Sequence, residues 1–288
     1  MNICIVHHYS ISFNRGGERM LRSIASELKR KGHSVFVYSL PLNRRGKVSL
    51  SFYYEETFFK RLDCDVSYFF YAPLLHKLFQ VSAPRIAGIH SFVVYPSFSH
   101  EKTSFPHLLY RHGILASGAI YFNRLTGNRD LNSFNAVHFP NIYMPIPISI
   151  PVYNIPNWVD LQVFKPRRAK NDVFTVLFVG SGWSKGYDIF YSIAKYFSKK
   201  GLRIKFLAVG AHGEGKPRSF IEMHPIIYQE DLLADIYSSS HVLIHPSRAD
   251  VFGVTLIESL ACGTPILTSA LPSHQVFLPP FFHLLHST

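Results

Sequence analysis

Apolar and polar residues fall along the chain in blocks that repeat one theme. Ile3 to Val6 is a short apolar run, a polar glycine-containing stretch leads to Gly17, and Met20, Leu21, Ile24, Ala25 and Leu28 then recur at helical spacing. This pattern predicts a strand, a loop and an amphipathic helix. The helix ends on Lys29, Arg30 and Lys31 with Gly32 as its stop, and a second apolar run, Ser34 to Leu40, follows at once. Cations in a last turn and a glycine just beyond it suit a helix C-terminus. Strand, crossover helix and strand make a βαβ unit, the founding piece of a parallel sheet whose ligands bind at the carboxyl ends of its strands. Further strands are predicted at Val66 to Phe70, Arg85 to Ile89 and Ala136 to Phe139.

From Pro140 to Pro166 the pattern breaks, with Pro140, Pro145, Pro147, Pro151, Pro156 and Pro166 crowded together. Such a density forbids a helix and favours an extended connection. A domain boundary is predicted here, with one domain over 1–153 and another over 154–288. The alternation then restarts. Strands are expected at Phe174 to Val179, Arg203 to Val209, Val242 to His245 and Ile266 to Thr268, and helices at Asp188 to Ser198, Asp231 to Ser238 and Gly253 to Cys262. The expected fold class is α/β, as two Rossmann-like domains in series, with no internal repeat at a period of 20 to 50 residues.

Composition narrows the setting. The chain has 288 residues, 47% of them hydrophobic, which is ample for two cores and excludes disorder. Its net charge of +12 is uneven: residues 1–150 hold 17 Lys and Arg against 8 Asp and Glu, while the remainder holds 13 against 10. The basic first half suits an anionic partner, whether a phosphorylated substrate, an acidic lipid surface or nucleic acid. Only the charge supports nucleic acid, since neither an aromatic RNA motif nor a zinc finger accompanies it. Cys4, Cys64 and Cys262 lie far apart, so a disulfide framework is not indicated and a reducing cytoplasm fits. Met1 to Val6 reads as a buried strand rather than a signal peptide, and no apolar run is long enough to span a bilayer. The expectation is a cytoplasmic protein, soluble or peripheral at the inner membrane face.

Ser247 to Pro265 holds the most chemistry. An apolar strand ends at His245-Pro246, a short loop bears Asp250, a helix starts near Gly253, and Gly263 followed by Pro265 stops it. A helix N-terminus at the carboxyl end of a strand offers free N–H groups and a positive dipole to an anion such as a phosphate. Asp250 and Glu258 are eight residues apart, roughly 12 Å if helical throughout. That is too far for a paired-carboxylate acid/base site and suits a grip on two parts of one extended ligand. Read alone, Asp250 could instead be a helix cap and Glu258 a solvated helix residue.

The run PSRADVFGVTLIESLACGTP, Pro246 to Pro265, resembles the donor-binding signature PS..E.FG...LEA.ACGTP of the retaining family 4 glycosyltransferases, which have the GT-B fold of two Rossmann-like domains facing each other across a cleft. The resemblance implies that Glu258 binds the nucleotide ribose, Asp250 contacts the transferred sugar, and the backbone of Phe252, Gly253 and Val254 lines the sugar and phosphate. Asn154 to Asp160, followed by Phe164 and Pro166, is similar to the family's interdomain element, with Trp158 in place of the usual glycine. Phe178 to Gly186 is similar to its VGR....KG loop, so that Gly180 and Lys185 would meet the donor and Lys185 would neutralise the diphosphate. Gly16-Gly17-Glu18 resembles the glycine loop under the donor phosphates, and His90 stands where the family often has a histidine reaching the transferred sugar.

The departures are equally specific. Asp250 replaces a glutamate, Ser181 stands where arginine is usual, and the loop at 180–186 is one residue shorter. Arg248 either substitutes for that arginine or pairs with Asp250. The sequence stops at Thr288, so a short C-terminal end is expected where relatives continue through a strand and a crossing helix. The implied reaction transfers a sugar from a nucleoside diphosphate sugar to an acceptor hydroxyl with retention. Asp250, Lys185 and His90 are its catalytic residues, and Gly16, Gly17, Gly180, Lys185, Arg248, Phe252, Gly253, Val254 and Glu258 its donor-binding ones. No cofactor and no metal are expected, since Asp63-Cys64-Asp65 has the spacing of a cation-binding triplet but precedes a strand of the first domain. Phe92, Tyr95, Phe98, Phe105, Tyr110, Tyr121, Phe122 and Phe134, interleaved with Arg111, Arg124 and Arg129, suggest a glycan or lipid-linked acceptor and peripheral contact with an acidic membrane. The alternative reading is a non-catalytic nucleotide-sugar-binding protein of the same fold.

Overall fold

The structure is a computed structural model and describes residues 1–13, 16–42, 50–90, 114, 117, 118, 121, 129–143, 146, 148–211 and 219–277.

 The chain divides into two compact units, Met1–Pro156 and Asn157–Thr288. The first unit is built on β1 (Asn2–His7), α1 (Gly16–Arg30), β2 (Ser34–Ser39), β3 (Tyr53–Glu56), β4 (Lys60–Leu62), β5 (Val66–Phe70), α2 (Leu75–Leu78), β6 (Phe79–Val81), β7 (Arg85–Gly88), β8 (Ala136–His138) and β9 (Val152–Tyr153). Seven strands form one parallel sheet in the order β3-β2-β1-β5-β7-β8-β9, and β4 pairs with β6 apart from it. Ile3 to Val6 is buried throughout, as expected of a central parallel strand covered on both faces. α1 buries Met20, Leu21 and Ala25, three of the residues whose spacing predicts it.

The second unit contains β10 (Phe174–Val179), α3 (Tyr187–Lys199), β11 (Ile204–Val209), β12 (Glu222–His224), α4 (Glu230–Ser239), β13 (Val242–His245), α5 (Val254–Ala261) and β14 (Ile266–Thr268). Its five strands are parallel in the order β12-β11-β10-β13-β14. One core layer packs Leu177, Leu207 and Leu243 with Leu233 and Tyr237 of α4 and Leu256 of α5. The opposite layer packs Val176, Phe178 and Phe206 with Tyr187, Phe190 and Ala194 of α3. Helices on both faces of a parallel sheet make this a doubly wound, Rossmann-like unit.

Both sheets reverse strand order beside their first strand. The loops after β10 and β13 therefore diverge at the carboxyl edge of the second sheet, and those after β1 and β5 do so in the first. This switch point is where open α/β sheets bind ligands. Four strands go beyond the sequence reading in the first unit. β3 is Tyr-Tyr-Glu-Glu, without an apolar run, and β4 and β6 are three residues each. β9 lies inside the proline-rich stretch, where Pro151 contributes its carbonyl to Val137 N at 2.9 Å, a bond that needs no proline N–H. Among the described residues, no helix is long and apolar enough to cross a membrane.

Candidate functional site

At the switch point of the second unit two loops are sewn together. Arg248 N donates to the Ser184 carbonyl at 2.8 Å, and Ser247 Oγ donates to the same oxygen at 3.1 Å. Gly186, with φ of 76°, permits this approach: a Cβ there would lie 2.0 Å from the Pro246 carbonyl oxygen. The junction brings Lys185 Nζ to within 2.6 Å of Asp250 Oδ2. Gly180 closes β10 beneath this lysine, where a Cβ would stand 3.2 Å from Lys185 Cβ.

Two histidines that the sequence reading passed over surround Asp250. His245, the last residue of β13, has Nε2 3.1 Å from Asp250 Oδ2, and His274 Nε2 lies 3.8 Å from the same oxygen. Both histidine side chains are fully buried, and that of Asp250 is 12% exposed. Burial raises the Asp250 carboxyl, but Lys185 and the two histidines outweigh it and hold the group well below the usual carboxylate range. Burial pushes the His245 imidazole down to about 4, against the opposing pull of Asp250. Asp250 is thus an anion and His245 a neutral donor to it at neutral pH. Ligand atoms of His245, Asp250 and His274 lie within 4.8 Å of one another, a geometry that could hold a cation. The Lys185 ammonium already supplies positive charge at the shared carboxylate oxygen.

The remaining residues of the segment separate by role. Arg248 pairs with Asp188, not with Asp250: its two terminal nitrogens fork onto the two carboxylate oxygens at 2.7 Å each. Asp188 lies in the first turn of α3, just past the 180–186 loop. Asp250 is not a helix cap, since Gly253 occupies that position with φ of 89°. Nor is Glu258 solvated. It is 2% exposed and accepts a hydrogen bond from Tyr237 Oη at 2.8 Å. The Phe252 ring is buried against Phe277, which leaves only its backbone for a ligand. Val254 begins α5, where the first N–H groups have no intrahelical acceptor.

In the first unit, Gly16 and Gly17 begin α1 at the carboxyl edge. A Cβ at Gly16 would meet nothing within 4 Å, and one at Gly17 only His7 Nε2 at 3.7 Å. His7 packs edge-on against Phe70, which stacks on His90 with ring centroids 4.5 Å apart. Gly17 and His90 are thereby linked through His7 and Phe70. Phe134 is core, packed against Phe69 and Tyr71, while Tyr121 is exposed. Phe92, Tyr95, Phe98, Phe105, Tyr110, Arg111, Phe122 and Arg124 lie outside the described residues.

Residues 173–278, which contain both loops, match the model of the family described as Glycosyl transferases group 1. That segment of the second unit is similar to the group 1 glycosyl transferases. A relative, the phosphatidylinositol N-acetylglucosaminyltransferase gpi3 subunit of Schizosaccharomyces pombe, is 24% identical over 145 residues, 42% of this chain and 31% of that protein. Alignments with the curated relatives span about a third of their length. Among solved structures, sucrose-phosphate synthase from Thermosynechococcus elongatus superposes with a TM-score of 0.67 at 16% identity, covering 97% of this chain and 84% of that one. The catalytic domain of starch synthase IV from Arabidopsis thaliana, bound to ADP and acarbose, gives 0.60 at 13% identity, covering 100% and 86%. The fold is GT-B, with two Rossmann-like units, as the sequence resemblance implied. The matched segment holds Lys185, Arg248, Asp250, Phe252, Gly253, Val254 and Glu258, and the first unit holds Gly16, Gly17 and His90.

Proposed function

We propose that the chain is a glycosyltransferase that moves a sugar from a nucleoside diphosphate sugar to an acceptor hydroxyl with retention at the anomeric carbon. The observation that carries this reading is the Lys185–Asp250 pair at the switch point, beside the N-terminus of α5 and inside the matched segment. A diphosphate arriving there meets an ammonium already in place and the first N–H groups of α5. Lys185 would move from Asp250 to the leaving diphosphate and offset the charge that grows as the glycosidic bond breaks. Asp250, anionic and held by His245, would then take a hydroxyl of the transferred sugar. The reading is a front-face substitution, in which the diphosphate departs on the face where the acceptor enters and helps to remove its proton. The chain's own share is positioning and charge stabilisation.

Glu258, with one carboxylate oxygen held by Tyr237, would hydrogen-bond the ribose. The ADP bound by the starch synthase IV domain supports a nucleoside diphosphate as the ligand. The excess of basic residues over 1–150 supports a glycan or lipid-linked acceptor at an acidic membrane surface. Sedimentation with phosphatidylglycerol vesicles tests that part, and no salt-sensitive binding would remove it. A panel of nucleoside diphosphate sugars, scored for thermal stabilisation and hydrolysis, tests the whole. One donor is expected to stabilise the protein and be turned over, and Glu258→Ala to abolish its binding. Normal donor affinity in Glu258→Ala would overturn the assignment. Binding without turnover would make the chain a nucleotide-sugar-binding protein.

A further inference from the structure

Beneath the carboxyl edge of the first sheet, three side chains from three adjacent strands form a series of hydrogen bonds. Tyr68 of β5 places its hydroxyl 2.7 Å from His90 Nε2, just past β7, and 2.6 Å from His138 Nδ1, at the end of β8. His138 Nε2 is 2.7 Å from the carbonyl oxygen of Ile155. Gly88 makes room for this: a Cβ there would stand 2.0 Å from the Tyr68 hydroxyl oxygen. None of the three groups is charged at neutral pH. Burial lowers His138 and, with His138 and His7 nearby, lowers His90 well below the ordinary imidazole value, while burial pushes the Tyr68 phenol upward.

Neutral groups leave one way to place the protons. The Ile155 carbonyl can only accept, so His138 carries its hydrogen on Nε2 and its Nδ1 is bare. A bare Nδ1 can only accept, so the Tyr68 hydroxyl donates to it. The Tyr68 oxygen then accepts from His90, which must carry hydrogen on Nε2 and leave Nδ1 bare. That last nitrogen is buried and makes no hydrogen bond among the described residues. A buried acceptor without a partner costs about 1–3 kcal/mol, and such groups concentrate where a ligand or catalytic partner is missing.

We propose that Tyr68 and His138 are positioning residues that lock His90 in its Nε2–H tautomer, so that His90 Nδ1 accepts a hydrogen bond from a hydroxyl of the bound sugar. The proposal rests on the glycosyltransferase reading for the ligand, but the tautomer is a property of the protein alone. His90 discriminates by direction: it takes a hydroxyl proton and rejects a carboxylate or phosphate oxygen, which has none to give. Phe70, stacked on the His90 ring, fixes its plane.

Nitrogen NMR of the full chain labelled with 15N-histidine, with His90 assigned by its loss in His90→Gln, tests the tautomer directly. A pyridine-like Nδ1 and pyrrole-like Nε2 are expected for His90. A pyrrole-like Nδ1, or averaging between tautomers, would overturn the proposal. In Tyr68→Phe the His90 pattern should shift towards averaging, with the His245 signals unmoved as a check that the chain is folded. An unchanged His90 pattern would equally overturn it. With the donor that the panel selects, Tyr68→Phe should lower kcat/KM on the order of tenfold or more. In a His90→Ala background it should cause no further loss, and an equal loss there would overturn the role through His90. A panel without any turnover sinks the glycosyltransferase reading while leaving the tautomer result to stand or fall by itself.

Discussion

Lys185 and Asp250 hold each other, so removing one strands the other. Lys185→Ala leaves an anion that is 12% exposed, with His245 and His274 as its remaining ionisable partners among the described residues. The expected cost is about 2 kcal/mol, below that of a fully buried pair because the lysine is 28% exposed. Lys185→Met combined with Asp250→Leu should recover most of that stability while still failing to bind a sugar nucleotide. Thermal melting and donor titration of the three proteins separate the two effects, and a double variant as unstable as the single one would refute the argument. Of this site, Lys185, Asp250 and Glu258 were legible because each stands inside a long ordered pattern. His245 and His274 were not, because the chain has sixteen histidines and only the folded loops bring two of them to one carboxylate. Of the two, His245 alone carries a usable signal, as the polar end of an otherwise apolar strand at the edge where ligands bind.

Glycines of the two units make opposite forecasts at the scale of the elements. Gly186→Ala would force a Cβ onto the Pro246 carbonyl and hold a left-handed residue besides, at a cost of at least about 3 kcal/mol. Gly16→Ala meets open space at a helix start, so its stability, read by thermal melting, should stay within about 0.5 kcal/mol of wild type. If phosphates approach α1 there, Gly16→Ala should nonetheless weaken donor binding on titration; unaltered affinity would remove Gly16 and Gly17 from the site. The central elements were readable because period and burial agree, as in β1, α1, β10 and α3. β3, β4, β6 and β9 were not, since residues such as the Tyr-Tyr-Glu-Glu of β3 become a strand only through pairing with a neighbour. The pairing of Arg248 was open for a similar reason. Asp250 is two residues from Arg248 and was the partner that the sequence offered, whereas Asp188 stands 60 residues away and only the fold brings it to the guanidinium.

Across the whole molecule, burial holds His7, His76, His90, His138 and His245 below their ordinary imidazole value. For His245 the unfolded chain takes its proton near 6.5 and the folded one only at about 4. The unfolded state therefore binds more protons inside that window. Stability is complete above it and falls as pH drops through it, by about 3 kcal/mol for His245 when the window is fully crossed. The depressed Asp250 acts only at lower pH, below the ordinary carboxylate value. Urea midpoints at about pH 7.5 and about pH 5 should show a steep loss in the wild type and a smaller one in His245→Gln. Equal losses in both would show that His245 is not part of the acid response.

The last link of the histidine series, the Ile155 carbonyl, lies one residue short of the end of the first unit at Pro156. That has a practical edge for anyone who expresses the unit by itself. A fragment cut at residue 153, where the prolines alone would suggest a boundary, lacks the acceptor for His138 and frees the tautomers of everything upstream of it. One cut at Pro156 keeps the series whole, and three residues of apparent linker decide whether His90 has a fixed direction.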